Sequence, residues 1–332
     1  MNNYVLNWHD SAKNTGGSKA KADVITFLLK RNFKIIDTPS SNLGKIWSSI
    51  TSYPKLKKLN GTLLIQYPSG KPLLRKLWLT SARRCSNLKV IFLIHDLESI
   101  RFHNNEEHTK DQNEEIRFLN KAHGLISLNH KMTTLLKSRG ITIPITDLKV
   151  WDYDNSQTFN NNFEYDGSVC YAGNLIKADY LTKLNINTPL HVFGPNANLK
   201  FPKNVIYEGQ YSPQELPKKL KQNFGLVWDG ISPDTCTGIY GQYMRYNDPH
   251  KVSLYLSTGI PVIVWKNAAI ADFIKENRVG ILIDSLNKLD DVLDSVSSAE
   301  FAEMKKNTQR VGLQMRQGFF LNNAFDQLAQ LI

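Results

Sequence analysis

The chain has 332 residues, 41% hydrophobic and 21% charged, enough apolar material to fill two cores and too much for a disordered or fibrous polymer. Its 41 Lys and Arg against 30 Asp and Glu give a formal charge of +11, which favours anionic partners such as nucleotide phosphates, lipid headgroups or nucleic acid without choosing among them. No apolar run approaches the roughly 20 residues of a membrane span, the start MNNYVLNWHDSAK lacks the parts of a signal peptide, and Cys85, Cys170 and Cys236 form no CxxC pair, so a cytoplasmic protein without zinc or disulfides is expected.

In chain order, a first strand is expected over residues 4–8, ending in His9 and Asp10. The stretch SAKNTGGSKAKADVITFLLKR then reads as a glycine loop leading into a helix with Val24, Phe27 and Leu28 on one face. Its spacing is neither GxGxxG nor GxxxxGKS, so Gly17 marks either a phosphate-facing turn or a plain helix start. Residues 33–37 read as a strand, 43–59 as a helix interrupted near Pro54, 61–66 as a strand and 72–84 as a basic helix. The apolar strand 88–94 delivers His95, Asp96, Glu98 and Arg101 to the carboxyl edge of a sheet, where open α/β sheets bind ligands. A charged loop is expected over 104–113; His108 within it and His103 just before it read as loop histidines. A helix to about residue 121, a strand over 124–128, a helix over 130–138 and a strand over 145–151 complete a first βα domain.

Residues 152–162 are polar and Asn-rich and read as an interdomain linker. Strands are expected over 167–172, 190–193 and 204–207, and three more over 224–228, 260–265 and 279–283. Between the first two of these last three lies a polar loop with Gly230, Gly238 and Gly241, then a helix opening near Pro249 with His250 and Lys251 in its first turn. A helix N-terminus with free N–H groups, a lysine and a glycine-bearing approach suits a diphosphate. Two closing helices are expected over 299–315 and 318–332.

The run NDPHKVSLYLSTGIPVIV, with Gly16-Gly17-Ser18-Lys19-Ala20, IHDLESIR at 94–101, YAGNL at 171–175 and GQYS at 209–212, resembles a bacterial family of GT-B glycosyltransferases. That family contains the glucosyltransferase that adds the second sugar to serine-rich-repeat adhesins, together with related galactofuranosyltransferases. The resemblance implies an α/β fold of two Rossmann-like domains facing across a cleft. The first would be 1–152, acceptor-side, with a final helix 316–332 crossing back to it, and the second 153–315, holding a nucleotide sugar. It implies transfer of a hexose, glucose or galactofuranose, from a UDP-sugar to a glycan on a glycoprotein adhesin or a lipid-linked saccharide. No cofactor and no obligatory metal would be needed, and the family assembles into homo-oligomers.

By that resemblance Lys177, Tyr211, Asn247 and Lys251 fall at the uridine-diphosphate contacts, with Lys177 standing where some members carry Arg. Gly173 and Asn174 allow close approach after a strand, and Asp229 and Thr237 offer polar groups to ribose or sugar hydroxyls. Each also has a plain structural reading: surface lysines, a packed tyrosine, a helix cap. The pair of glutamates seven residues apart that many retaining members carry is missing, which leaves the stereochemistry open. An inverting enzyme needs a general base, for which Asp96 and His95 are the candidates, with Asp10 and His9 behind them. The plain reading of His95 and Asp96 is a hydrogen-bonded strand end.

Two rival readings stand beside this one. Asp152-Tyr153-Asp154 is a DxD of the kind that holds a metal and a diphosphate in GT-A transferases. Charge alone suggests a nucleic-acid-binding protein, but no zinc pattern, RNP segment or spaced basic helix accompanies it, so nucleic acid is not expected as a partner. The basic clusters, such as Lys55 to Lys58 and Arg83-Arg84, read as solvated faces or as a peripheral patch at the inner face of the membrane.

Overall fold

Short Val- and Ile-rich runs alternating with helices can bury their strands on both faces only as parallel sheets, and the chain forms two of them. The computed structural model describes residues 2–9, 16–102, 109–197 and 200–332. It divides into one unit of residues 1–148 with 320–332 and a second of residues 149–319.

The first unit runs β1 (Asn2–Asn7), α1 (Gly16–Lys30), β2 (Lys34–Asp37), α2 (Asn42–Ile50), α3 (Ser52–Leu56), β3 (Gly61–Tyr67) and α4 (Pro72–Arg83). It continues through β4 (Leu88–Ile94), α5 (Glu98–Phe102), α6 (Thr109–Leu119), β5 (Gly124–Ser127), α7 (His130–Ser138) and β6 (Ile145–Asp147). The strands are parallel in the order β2-β1-β3-β4-β5-β6, with β3 and β4 paired from Gly61↔Leu88 to Tyr67↔Ile94. All seven residues of β3 are buried, as expected for a central strand. The helix pair α2–α3 breaks at Thr51, not at Pro54. The Thr51 hydroxyl donates to the Trp47 carbonyl at 2.8 Å, and Pro54 sits inside the first turn of α3, where a missing N–H leaves no helical bond unmade. The expected loop over 104–113 overlaps α6, which begins at Thr109; the rest of it, with His103 and His108, lies outside the described residues.

The second unit holds β7 (Val169–Ala172), β8 (Leu190–Phe193), β9 (Val205–Gly209), α8 (Leu216–Lys219), β10 (Phe224–Val227), α9 (Gly238–Tyr243), α10 (His250–Thr258) and β11 (Val262–Trp265). After these come α11 (Ala271–Asn277), β12 (Gly280–Ile283), α12 (Leu289–Asp294), α13 (Ser298–Arg316) and α14 (Phe319–Leu331). Its parallel order is β12-β11-β10-β7-β8-β9. From Phe320 onward α14 belongs to the first unit. There the Phe325 ring meets Phe33 edge-on at 5.0 Å, the Thr146 hydroxyl donates to the Ala324 carbonyl at 3.0 Å, and Arg31 pairs with Asp326 at 2.7 Å.

Two expectations about this half change. The strand expected over 145–151 ends at Asp147, because Lys149 takes a left-handed φ of 74° that no strand accommodates. The Asn-rich segment after it is no free linker: the Tyr153 N–H donates to the Met315 carbonyl at 3.3 Å, the Asn155 amide to the Ser257 carbonyl at 3.2 Å, and the Asn160 N–H to the Thr258 carbonyl at 2.8 Å. Two backbone N–H groups and the Asn155 side chain here replace the ladder bonds that an irregular segment lacks.

Where α13 packs on the core, Lys305 is fully buried and its ammonium has no hydrogen-bond partner among the described residues. Burial pulls its pKa down to about 8 from the ordinary lysine value of 10.5. A depressed lysine pKa means that the unfolded chain holds the proton more tightly than the folded one, so stability rises with pH between about 8 and 10.5. Below that window the burial penalty is present in full. Lys305→Met is expected to raise the melting temperature at pH 7 by several degrees, with the gain shrinking as pH approaches 10, as read by calorimetric melting across that range. A lower melting temperature at pH 7 would mean that the ammonium is satisfied.

Candidate functional site

From β7 the second sheet runs outward through β8 and β9, and the chain then returns to lay β10, β11 and β12 on the other side of β7. Connections diverge between β7 and β10, which makes the carboxyl ends of those two strands the switch point at which doubly wound sheets take ligands. Gly173 and Asn174 follow β7, Trp228, Asp229 and Gly230 follow β10, and α10 begins after the α9 turn. The two strand ends are stitched together: the Gly230 N–H donates to the Lys177 carbonyl at 2.7 Å, and the Tyr180 N–H donates to the Gly230 carbonyl at 3.3 Å.

The charge centre of this switch point is Lys251, the second residue of α10. Its ammonium donates to Asp229 Oδ1 at 2.6 Å, to the Tyr171 hydroxyl oxygen at 3.1 Å and to the Trp228 carbonyl at 3.3 Å. Three acceptors match three protons. The side chains of Lys251 and Asp229 are only 11% and 9% exposed, so this is a buried pair. The Tyr171 hydroxyl donates in turn to Asp229 Oδ1 at 3.2 Å; burial first, and the carboxylate second, hold its pKa well above the usual tyrosine value, so it stays a neutral donor.

Around this centre the candidates take different places. Asn174 caps the short 3-10 turn Leu175–Lys177, accepting from the Ile176 N–H at 3.2 Å and from the Asn196 amide at 2.8 Å. The Lys177 ammonium lies 5.1 Å from the centre of the Tyr240 ring on α9. Thr237 precedes α9 as its N-cap without a side-chain capping bond, so the stretch expected as loop holds a helix containing Gly238 and Gly241. Asn247 is half-buried, and its side-chain carbonyl has no hydrogen-bond partner among the described residues. Tyr211 stands apart beyond β9, its ring 6.3 Å from Phe193 and 5.0 Å from the Lys219 ammonium. Asp229 and Lys251 are therefore drawn together through Tyr171, and Gly230, the residue after Asp229, is bonded to Lys177, whose own N–H reaches the Asn174 carbonyl beside Gly173; no such bond reaches Tyr211 among the described residues.

Two participants escaped the sequence reading. Gly194 takes φ 146°, and a Cβ there would lie 1.8 Å from the Gly173 carbonyl oxygen, so only glycine lets the β8 turn lie against the β7 turn. The Phe-Gly-Pro-Asn run at the end of β8 was its available signal. Tyr171 entered only as part of the YAGNL run, and its hydroxyl is the one shared by Lys251 and Asp229.

In the first unit, His95 follows β4 and its Nε2 lies 2.8 Å from Gln66 Oε1, while the Gln66 amide donates to the Lys21 carbonyl of α1 at 3.2 Å. Asp96 accepts from Arg101 at 2.8 Å and is about one-third exposed. The segment bearing both is pinned by Glu115 of α6, which accepts from the Tyr67 hydroxyl at 2.6 Å and from the Glu98 and Ser99 N–H groups at 3.2 Å each. Nothing in the sequence singled out Glu115. Gly17 lies in the first turn of α1 with open space around it, one residue into a helix and not on a loop. His9 is 3.4 Å from Asp37, and Asp10 lies outside the described residues.

Asp152 is buried and Asp154 exposed where the second unit begins. Among the described residues no group of three or more His, Cys, Asp or Glu is placed to hold a metal ion, and no helix is long and apolar enough to cross a membrane.

Comparison with known proteins follows this geometry. Residues 2–150 match the family model for the glucosyltransferase 3-like N-terminal domain, and residues 169–328 match that for the C-terminal domain. A β-1,6-galactofuranosyltransferase of Escherichia coli, WbbI, is 28% identical over 98% of both chains. Glucosyltransferase 3 of Streptococcus gordonii is 27% identical over 70% of this chain and 68% of its own. Among solved structures, Anabaena HepE in complex with UDP superposes with a TM-score of 0.61 over the whole of both chains at 11% identity. The lipopolysaccharide outer core galactosyltransferase WaaB superposes with a TM-score of 0.58 at 12% identity, covering 98% of this chain and 99% of its own. At such identities the likeness speaks for the fold, two Rossmann-like sheets of the GT-B type.

Proposed function

The chain belongs to the glucosyltransferase 3-like family, and on that premise we propose that it is a hexosyltransferase that moves a sugar from a uridine-diphosphate donor to a glycan acceptor. The observation that carries this reading is α10, whose N-terminus and Lys251 stand at the switch point of the second sheet beside Lys177 and the stitched β7 and β10 turns. Similarity to a galactofuranosyltransferase over nearly the full chain and to a glucosyltransferase over 70% of it favours galactofuranose or glucose as the sugar.

In this reading the diphosphate meets the N–H groups of α10 and the lysines, so that departing negative charge is stabilised by fixed dipoles and ammonium groups and no obligatory metal is needed. Asn247, with an unmatched carbonyl, offers an acceptor to a ribose or sugar hydroxyl. The first unit supplies the base for the acceptor hydroxyl, with Asp96 in that role and His95 beside it. Neither rival reading has support: a complete second parallel sheet follows Asp152 and Asp154, and both matching family domains belong to glycosyltransferases.

The test is calorimetric titration with uridine diphosphate in the presence of a chelator. Binding is expected undiminished by the chelator, with adenosine diphosphate binding weakly or not at all. A requirement for a divalent cation would overturn the metal-free part of the reading, and absence of uridine diphosphate binding under both conditions would overturn the donor.

A further inference from the structure

Helix α2 is built inside out. A surface helix ordinarily turns its apolar stripe to the core, but here Leu43, Ile46, Trp47 and Ile50, at spacing i, i+3, i+4 and i+7, all face solvent, with Leu43 81% and Trp47 70% exposed. Its inward residues are Lys45, Ser48 and Ser49. They are committed there: Lys45 donates to the His9 carbonyl, Ser49 accepts from the Trp78 indole N–H at 3.1 Å and donates to the Lys45 carbonyl at 2.7 Å, and Ser52 next in line donates to Ser81 at 2.7 Å. Rotating the helix to hide its apolar face would break this set of bonds. Leu73, at the start of the adjoining α4, extends the exposed apolar surface.

The charge around it is equally one-sided. Residues 38–95 contain ten Lys and Arg and no Asp or Glu, so ten of the eleven net positive charges of the chain reside in this segment. Lys55, Lys57 and Lys58 after α2 and Lys71 and Lys76 on α4 are exposed. A short helix with a Trp and aliphatic residues outward, bordered by lysines and free of acids, has the composition of an interfacial helix that lies in the headgroup layer.

We infer that the α2–α4 face of the first unit docks the protein on an anionic lipid bilayer. Leucine, isoleucine and tryptophan enter the boundary of the acyl chains while the lysines meet negative headgroups. Charge decides against a second copy of the chain as occupant, since a two-fold contact through this face would oppose one cationic patch to another. The inference does not depend on the transfer chemistry, although a lipid-linked acceptor would be presented at such a surface.

The test uses the full chain with phosphatidylcholine vesicles, with and without phosphatidylglycerol. Trp47 is a built-in probe, since the other tryptophans are at most 9% exposed. Sedimentation with the anionic vesicles is expected, falling as salt is raised, together with a blue shift of emission that disappears in Trp47→Phe. Leu43→Ser/Trp47→Ser and Lys57→Glu/Lys58→Glu are each expected to weaken partitioning by about tenfold or more. Uridine diphosphate binding by the same variants, measured alongside, is expected unchanged and reports on the donor site separately. Equal partitioning of parent and variants, no preference for the anionic vesicles, or shielding of Trp47 by protein concentration alone would each overturn the inference, the last by assigning the face to a second copy.

Discussion

Lys251→Ala is expected to destabilise the second unit by about 3–5 kcal/mol, because it strips the counter-charge from a carboxylate that cannot reach bulk water. Asp229 is 6% exposed, and its other described hydrogen bond comes from the neutral Tyr171 hydroxyl at 3.2 Å. The double variant Lys251→Met/Asp229→Asn removes both charges and keeps an acceptor for Tyr171, so most of the loss is expected to return. Thermal and denaturant melts of the parent, both single variants and the double variant measure the coupling. A loss below about 1 kcal/mol in Lys251→Ala would mean that Asp229 is solvated and that the pair behaves as a surface contact. The double variant also separates charge from folding in ligand binding. If it melts like the parent and still binds uridine diphosphate with parental affinity, the ammonium serves the fold, and the phosphates rest on the α10 N-terminus and Lys177.

Asp96→Asn is expected to lower turnover by about 100-fold or more while changing uridine diphosphate affinity by less than about threefold, since a general base contributes that much to rate and nothing to donor binding. The amide preserves an acceptor for Arg101, which Asp96 now holds at 2.8 Å, so the strand end keeps its shape while losing its capacity to take a proton. Donor consumption with acceptor present, beside calorimetry with the nucleotide alone, reads the two effects. Normal turnover would remove Asp96 from the role of base and turn attention to His95. Equal losses of binding and turnover would show that the substitution had disturbed the fold of its unit.

The strands were legible because burial on both faces writes itself as apolar runs rich in Val, Ile and Leu, interrupted in Leu88–Ile94 by Lys89 alone and continuous in Val262–Trp265. The α10 terminus was legible too, since Pro249 before the helix and Gly259, at φ 83°, after it are its natural punctuation. What stayed hidden depended on partners distant in sequence. The Lys251 ammonium looked available for phosphate because no local pattern reveals that Asp229, Tyr171 and Trp228 converge on it from two other strand ends. Glu115 was silent for the same reason: its bonds to Tyr67, Glu98 and Ser99 are made across the sheet edge. The bonds by which the Asn-rich segment is held to Ser257, Thr258 and Met315 stayed hidden because bonding to remote helix ends carries no periodicity.

The membership of α14 in the first unit has a consequence for how the chain is made. On a ribosome, β1 to β6 emerge first, yet the helix that covers Phe33, Gly124 and Thr146 leaves the exit tunnel only after the whole of the second unit. The second unit, lying wholly between them, has all of its own sequence available before the first unit can close. Domains ordinarily mature from the N-terminus onward as they are synthesised; here the opening half must wait, with the site of α14 uncovered, until the second unit and α14 have been made.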